Sequence, residues 1–180
     1  MIYPDDSQIL EFMISPSKRN EGYRYLVGKY KEKLYWHIRR LVGDHEDADD
    51  VLQNTFIKIV RNIDGFQKQS SLYTWIYKIA TNESLNFIQT KKNKYAESLD
   101  GSQVEYIKDS VYFDENKALD HLQTAINRLP EKQKLVFNLR YYDEMPYQDM
   151  ADITDTSVGA LKASYHHAVK KIEEHLKATI

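Results

Sequence analysis

The sequence predicts an all-α protein: two small helical domains joined by a flexible linker. Apolar residues recur at three- and four-residue steps through most of the chain, the period of a helix with one buried face. No convincing run alternates apolar and polar residues, so few or no strands are expected. The helical spacing breaks once, from Lys92 to Asn116, where six acids face three lysines among scattered apolar residues.

The elements follow in order. Residues 1–20, with Pro4 and Pro16, match no usable pattern. A first domain over 20–91 begins with Tyr23, Leu26, Val27, Tyr30, Leu34, Ile38 and Leu41 on one helical stripe, closed by Gly43-Asp44. Ala48, Val51, Leu52, Thr55, Phe56, Ile59 and Ile63 form a second stripe, closed by Asp64-Gly65. Leu72, Trp75, Ile76, Ile79 and Ala80 form a third, with Ser70-Ser71 placed to cap it. Residues 92–116 read as the linker.

A second domain over 117–180 resumes with Leu119, Leu122, Ile126 and Leu129. Pro130-Glu131 starts a helix carrying Leu135, Val136 and Leu139, and Asp143-Glu144-Met145-Pro146 stops it. Two more helices, Tyr147 to Ile153 and Ser157 to about Leu176, are joined by Thr154-Asp155-Thr156.

Composition narrows the function classes. The chain has 180 residues and no cysteine, which removes disulfides, Cys-ligated zinc, iron–sulfur clusters and a cysteine nucleophile. Its acidic start, Met1-Ile2-Tyr3-Pro4-Asp5-Asp6, has no apolar stretch behind it, so no signal peptide is expected. No run is apolar enough for a membrane span, so no membrane insertion is expected. The Gly22 to Lys29 stretch imitates a P-loop but has five residues between its glycines, and Tyr30 stands where Ser or Thr would hold magnesium. No Ser/His/Asp arrangement or dinucleotide-binding glycine pattern is present, and nothing argues for an enzyme.

Three constellations remain. A short helix, a tight turn and a longer helix at the C-terminal end have the spacing of a helix-turn-helix. Val158, Leu161, Tyr165, Ala168, Val169 and Ile172 would be buried, leaving Thr156, Gly159, Ala160, Ala163, His166, His167 and Lys170 outward. Small residues at 159, 160 and 163 allow close approach to a major groove. Ser157 can cap the helix, and Lys162, Lys170 and Lys171 face no acid between Thr156 and Ile172. An ordinary helical hairpin with a solvated lysine face has the same pattern, and many helix-turn-helix folds bind protein instead.

The acids Asp44, Glu46, Asp47, Asp49 and Asp50, with His45, suit a metal in composition. They also sit at a helix start, where the dipole stabilises carboxylates without one, and no further ligand grouping supports a metal. The outward face of that helix carries Asp47, Asp50, Gln53, Asn54, Ile57 and Arg61; an Ile there points to a partner surface, or is one stray apolar residue.

The loop from Asp64 to Ser71 includes Phe66, Gln67 and Lys68 and leads into a helix with Tyr73, Trp75 and Tyr77. Aromatic and amide groups beside lysines suit unstacked bases. Trp75 falls on the apolar stripe and is expected in the core; Tyr73, Tyr77, Lys78, Asn82 and Asn86 are expected to be exposed. Lys91-Lys92-Asn93-Lys94 suits phosphates or a soluble helix end.

The run Gly43-Asp44-His45-Glu46-Asp47-Ala48-Asp49-Asp50-Val51-Leu52-Gln53-Asn54-Thr55-Phe56, then Ser71-Leu72-Tyr73-Thr74-Trp75-Ile76-Tyr77-Lys78-Ile79-Ala80-Thr81-Asn82, resembles the second domain of extracytoplasmic-function sigma factors. Leu129-Pro130-Glu131-Lys132-Gln133, Tyr147-Gln148-Asp149-Met150-Ala151 and Ser157-Val158-Gly159-Ala160-Leu161-Lys162 resemble their fourth domain. The resemblance implies a cytoplasmic, dissociable specificity subunit of bacterial RNA polymerase, with core polymerase and promoter DNA as partners. No cofactor is implied, and an anti-sigma factor is suggested only by family habit.

It further implies that Asp47, Asp50, Gln53, Asn54 and Ile57 bind core polymerase. Phe66, Gln67, Lys68, Tyr73, Tyr77, Lys78 and Asn82 would melt and capture the minus-ten element. Thr156, Ser157, Gly159, Ala160, Lys162, Ala163, His166, His167 and Lys170 would read the minus-thirty-five element. Where many relatives carry arginine in this helix, the chain reads Lys162-Ala163-Ser164-Tyr165-His166-His167-Ala168, so the bidentate guanine contact of arginine is absent and readout by small side chains, backbone and DNA shape is expected.

Two rival readings stay open here. A stand-alone helix-turn-helix regulator would bind duplex DNA without polymerase, and a metal-dependent enzyme would be built on the acidic cluster. The net charge of −2 bears on the choice. Residues 1–91 hold 13 basic and 12 acidic residues, 92–116 hold 3 and 6, and 117–180 hold 9 and 9. Weak charge on each domain implies weak independent DNA affinity and a shallow salt dependence. That suits a subunit that binds promoters only with polymerase.

Overall fold

A computed structural model describes residues 3–98 and 117–179. The chain divides into two units, Met1–Val104 and Glu105–Ile180. Every regular element among the described residues is helical, as the periodicity predicts.

The first unit contains α1 (Asp6–Ile14), α2 (Arg19–Val42), α3 (His45–Asn62), a 3-10 turn (Ile63–Gly65) and α4 (Leu72–Ser98). α2 buries Leu26, Leu34, Ile38 and Leu41. It ends at Gly43, whose φ of 88° is the left-handed geometry that glycine adopts without a Cβ penalty. Asp44 then caps α3 by accepting from the N–H groups of Glu46 at 2.9 Å and Asp47 at 3.2 Å. These hydrogen bonds, that from Asp47 foremost, hold the Asp44 carboxyl below its ordinary range. α4 starts on the expected cap: the Thr74 N–H donates to Ser71 Oγ at 3.0 Å.

The bounds of the helices in the first unit depart from the sequence reading at both of its ends. Residues 6–14, matched to no pattern, form a helix packed on α2. Its start is a capping box, in which the Gln8 N–H donates to the Asp5 carboxylate and the Asp5 N–H donates to Gln8 Oε1. Ile9, Leu10 and Met13 are buried, and Gly22 lets the two helices meet, since a Cβ there would lie 2.7 Å from the Met13 nitrogen. The imitation P-loop is therefore an uninterrupted stretch of α2. α4 also continues to Ser98, past the expected start of the linker at 92. Contacts one turn apart support this solvated end: Gln89 Nε2 donates to Asn93 Oδ1 at 2.9 Å, and Lys91 Nζ lies 5.8 Å from the Phe87 ring centre. The rest of the expected linker, 99–116, lies outside the described residues.

The second unit contains α5 (Lys117–Asn127), α6 (Glu131–Tyr141), α7 (Tyr147–Thr154) and α8 (Val158–Thr179). Ala125, Ile126, Leu129, Phe137, Ala168 and Ile172 form one core cluster, while Leu139, Met145, Met150, Ile153 and Leu161 are buried beside α7. Leu119, expected on the apolar stripe, is exposed. The turn between α7 and α8 passes through Asp155 with φ 50°, a left-handed position that Asp tolerates better than most residues.

Candidate nucleic-acid and partner interfaces

The outward face of α3 carries Asp50, Gln53, Asn54 and Ile57, all exposed and spaced to share one side of the helix. Ile57 is 41% exposed, as the sequence reading required, whereas Phe56 turns into the core and meets Tyr23 edge-on at 6.4 Å. Asp47 is half-buried and receives Lys91 Nζ at 2.5 Å, so Lys91 pairs within the fold.

The remaining acids diverge. Asp44 points into the α3 backbone, while Asp49 lies 3.7 Å from His45 Nε2. The other ring nitrogen of His45 meets the Tyr35 hydroxyl at 2.6 Å. No group of three or more metal-capable side chains occurs among the described residues.

The loop from Asp64 to Ser71 is shaped by its aromatic. The Phe66 N–H donates to the Ile63 carbonyl at 3.1 Å, and its ring lies 5.0 Å from that of Trp75. Trp75 on α4, expected in the core, is half-buried and packs against this loop through Phe66. Beyond Phe66 the backbone turns left-handed at Lys68, φ 56°, leaving Gln67, Lys68 and Gln69 exposed. Gln69 Nε2 donates to Gln67 Oε1 at 2.9 Å, which orients both amides.

On α4, Tyr73 and Lys78 are half-buried and Asn82 is exposed. Tyr77 corrects the sequence reading: expected outward, it is 1% exposed, packed 5.0 Å from the His37 ring and 4.4 Å from Tyr73. The reason is that α4 packs against both α2 and α3, so it has two buried flanks. Tyr77 has no surface to offer a base.

In the second unit, Thr156, Ser157, Gly159, Ala160, Lys162, Ala163, His166, His167 and Lys170 are all exposed on one flank of α8 and the turn before it. Ser157 Oγ accepts from the Ala160 N–H at 3.3 Å, the expected cap. Nothing lies within 4 Å of where a Gly159 Cβ would stand. Against the protein, Leu161, Ala168 and Ile172 are buried and Tyr165 stacks on Phe137 at 5.9 Å. Burial, with Tyr147 nearby, raises the Tyr165 phenol above its ordinary range.

Tyr147, the first residue of α7, is also a packing centre. Its ring stands 5.8 Å from Lys162 Nζ and 5.1 Å from the Arg140 guanidinium, joining the start of α7 to α8 and to α6 by cation–π contacts. Lys170 lies 4.0 Å from Glu174 with both side chains exposed, a pair worth little.

The family model for sigma-70 region 2 matches residues 26–94, and that for sigma-70 region 4 matches residues 119–172. The RNA polymerase sigma-H factor of Pseudomonas aeruginosa is 30% identical over 188 residues, covering 96% of this chain and 94% of that protein. The ECF RNA polymerase sigma factor SigW of Bacillus subtilis is 27% identical over 168 residues, covering 87% and 90%.

Two solved structures share the fold. The sigma factor RpoE in complex with the anti-sigma factor NepR from Bartonella quintana has a TM-score of 0.73 at 24% identity, covering 86% of this chain and 96% of that one. CnrH in complex with the cytosolic domain of CnrY has a TM-score of 0.72 at 18% identity, covering 96% and 97%. A stand-alone helix-turn-helix regulator accounts for the second unit only, whereas both units are matched in order. The chain belongs to the extracytoplasmic-function sigma factors, the sigma-70 subunits that direct bacterial RNA polymerase to specific promoters for transcription initiation.

Proposed function

We propose a division of that activity between the two units. The first docks on core polymerase through Asp47, Asp50, Gln53, Asn54 and Ile57 on α3. It opens the minus-ten element by capturing bases with Phe66, Gln67, Lys68, Tyr73, Lys78 and Asn82. Extracting a base costs a few kcal/mol, so stacking and edge contacts must return about as much. The second unit reads the minus-thirty-five element with the outward flank of α8, from Thr156 to Lys170. With no guanidinium on that flank, recognition rests on fit of the small residues, backbone and groove shape. The protein works in the cytoplasm and performs no bond chemistry of its own.

The observation that carries this reading is the loop at 64–71, where Phe66 rests on Trp75 and paired amides face outward. Such a loop has a π-face and hydrogen-bonding edges for single-stranded bases, which a duplex-only reader does not need. Reconstitution with core polymerase tests it. Promoter-specific abortive transcripts are expected only when the chain is added. Tight duplex binding without polymerase, and no transcript, would overturn it.

The solved relative bound to the anti-sigma factor NepR supports a protein inhibitor for this chain as well. Exposed Ile57 is a contact such a partner would cover, in competition with polymerase.

A further inference from the structure

The N-terminal segment, matched to nothing in sequence, touches both ends of the proposed base-capturing element. At one end, Arg19 Nε donates to the Met13 carbonyl closing α1 at 2.9 Å, and Arg19 Nη2 pairs with Asp64 at 2.6 Å. Asp64 lies in the 3-10 turn from which the loop departs. At the other end, Asp6 Oδ1 accepts from Lys29 Nζ at 2.8 Å and from the Tyr30 hydroxyl at 2.5 Å. Lys29 Nζ also donates to the Pro4 carbonyl at 3.2 Å. The Tyr30 ring, 3% exposed, then lies 6.2 Å from Tyr73 in the first turn of α4.

We propose that residues 3–19 are a brace for promoter opening, holding the loop at Asp64 through Arg19 and the Tyr73 ring through Asp6 and Tyr30. The proposal rests on the reading that the loop and Tyr73 capture bases. Asp6, Arg19 and Tyr30 are positioning residues, acting through groups that meet DNA. The two anchors differ in strength. The Arg19–Asp64 pair is 36% and 59% exposed, so solvent weakens it. The Asp6 cluster is half-buried, and the buried Tyr30 hydroxyl has Asp6 as acceptor. Burial, and then the Asp6 carboxylate, raise the Tyr30 phenol well above its ordinary range.

The test uses the full chain with core polymerase and a promoter carrying 2-aminopurine in the minus-ten element. Tyr30→Phe and Asp6→Asn should each reduce the opening equilibrium about tenfold, the equivalent of one well-formed hydrogen bond to a charged group. Arg19→Ala should reduce it about threefold, in line with an exposed pair. The charge swap Arg19→Asp with Asp64→Arg should recover more opening than either single change. Affinity for core polymerase, measured by competition, should stay within about twofold, since α3 is untouched. The braced chain should also discriminate minus-ten base substitutions better than the variants do, a readout that general loosening of the fold would not move.

Unchanged opening in Tyr30→Phe and Asp6→Asn overturns the brace. So does a fall in opening matched by an equal fall in polymerase affinity, and the exposed Arg19 pair keeps the test valid if a buried change unfolds the unit. Tyr73→Ala separates the two readings. If it abolishes opening while the brace variants leave opening unchanged, the brace alone fails; if it leaves opening intact, base capture by Tyr73 fails and the brace falls with it.

Discussion

The loop at 64–71 presents an aromatic ring, outward amides and a lysine in left-handed backbone, whereas the flank of α8 presents Gly159, Ala160 and Ala163 with Lys162, Lys170 and two imidazoles around them. The first surface is rough and rich in binding groups; the second is smooth. In the proposed division, the loop must gain enough from each captured base to offset unstacking, while α8 has only to fit a groove that stays paired. Large rings and small side chains follow from that difference in task, and neither surface carries the dense positive charge of a protein that grips DNA alone.

The largest expected effect would break the comparison at the loop. Phe66→Ala removes the ring that rests on Trp75 and should lower promoter opening about thirtyfold, the worth of one base–aromatic stack near 2 kcal/mol. Permanganate footprinting of minus-ten thymines reads this directly, and duplex affinity should not move. Next comes the docking face. Ile57→Glu puts a charge where an exposed apolar contact is proposed and should weaken core-polymerase binding about tenfold with no loss of melting temperature. Full polymerase affinity in this variant would show that α3 docks elsewhere.

A third substitution sharpens the contrast by roughening the smooth side. His167→Arg adds a fixed charge to the exposed flank of α8. Promoter affinity of the holoenzyme should rise about threefold, and its logarithmic salt slope should steepen by about 0.9, one phosphate's worth. An unchanged slope would place His167 away from the backbone of the DNA.

The last effect falls on stability and not on DNA, at the turn between α2 and α3. Asp44→Ala removes an N-cap and should cost about 1 kcal/mol of stability in the first unit. Because the Asp44 carboxyl is held below its ordinary range, this contribution is complete above about pH 4 and is lost as pH falls through the depressed folded value. Thermal melts of wild type and variant should therefore converge in acid.

Much of the helical layout was legible because its punctuation is local. Gly43, Asp44, Ser71, Pro130 and Ser157 act within one turn of where they stand, and each sits at a helix boundary. The outward flank of α8 was equally legible, since its buried residues Leu161, Ala168 and Ile172 fall on one helical stripe even though three helices pack against it. Tyr77 and Trp75 were not, because α4 is flanked by two helices and a single-stripe reading exchanges their environments. α1 had a readable start, Asp5 and Gln8 three residues apart before Ile9, Leu10 and Met13, but its apolar run is too short, between Pro4 and Pro16, to show a helical period. Its links to Asp64 and Tyr30 join residues distant in the chain, and no local pattern announces them.

The ion pair between Lys91 and Asp47 gives the proposed docking face an incumbent. A polymerase group arriving at Asp47 must share or displace an ammonium already seated there, so association is an exchange of counter-charges and not the filling of an empty position. Added salt loosens the incumbent and the incoming contact together. The docking equilibrium should therefore respond to ionic strength less than a tally of acids on α3 implies, and Lys91→Ala should make it respond more.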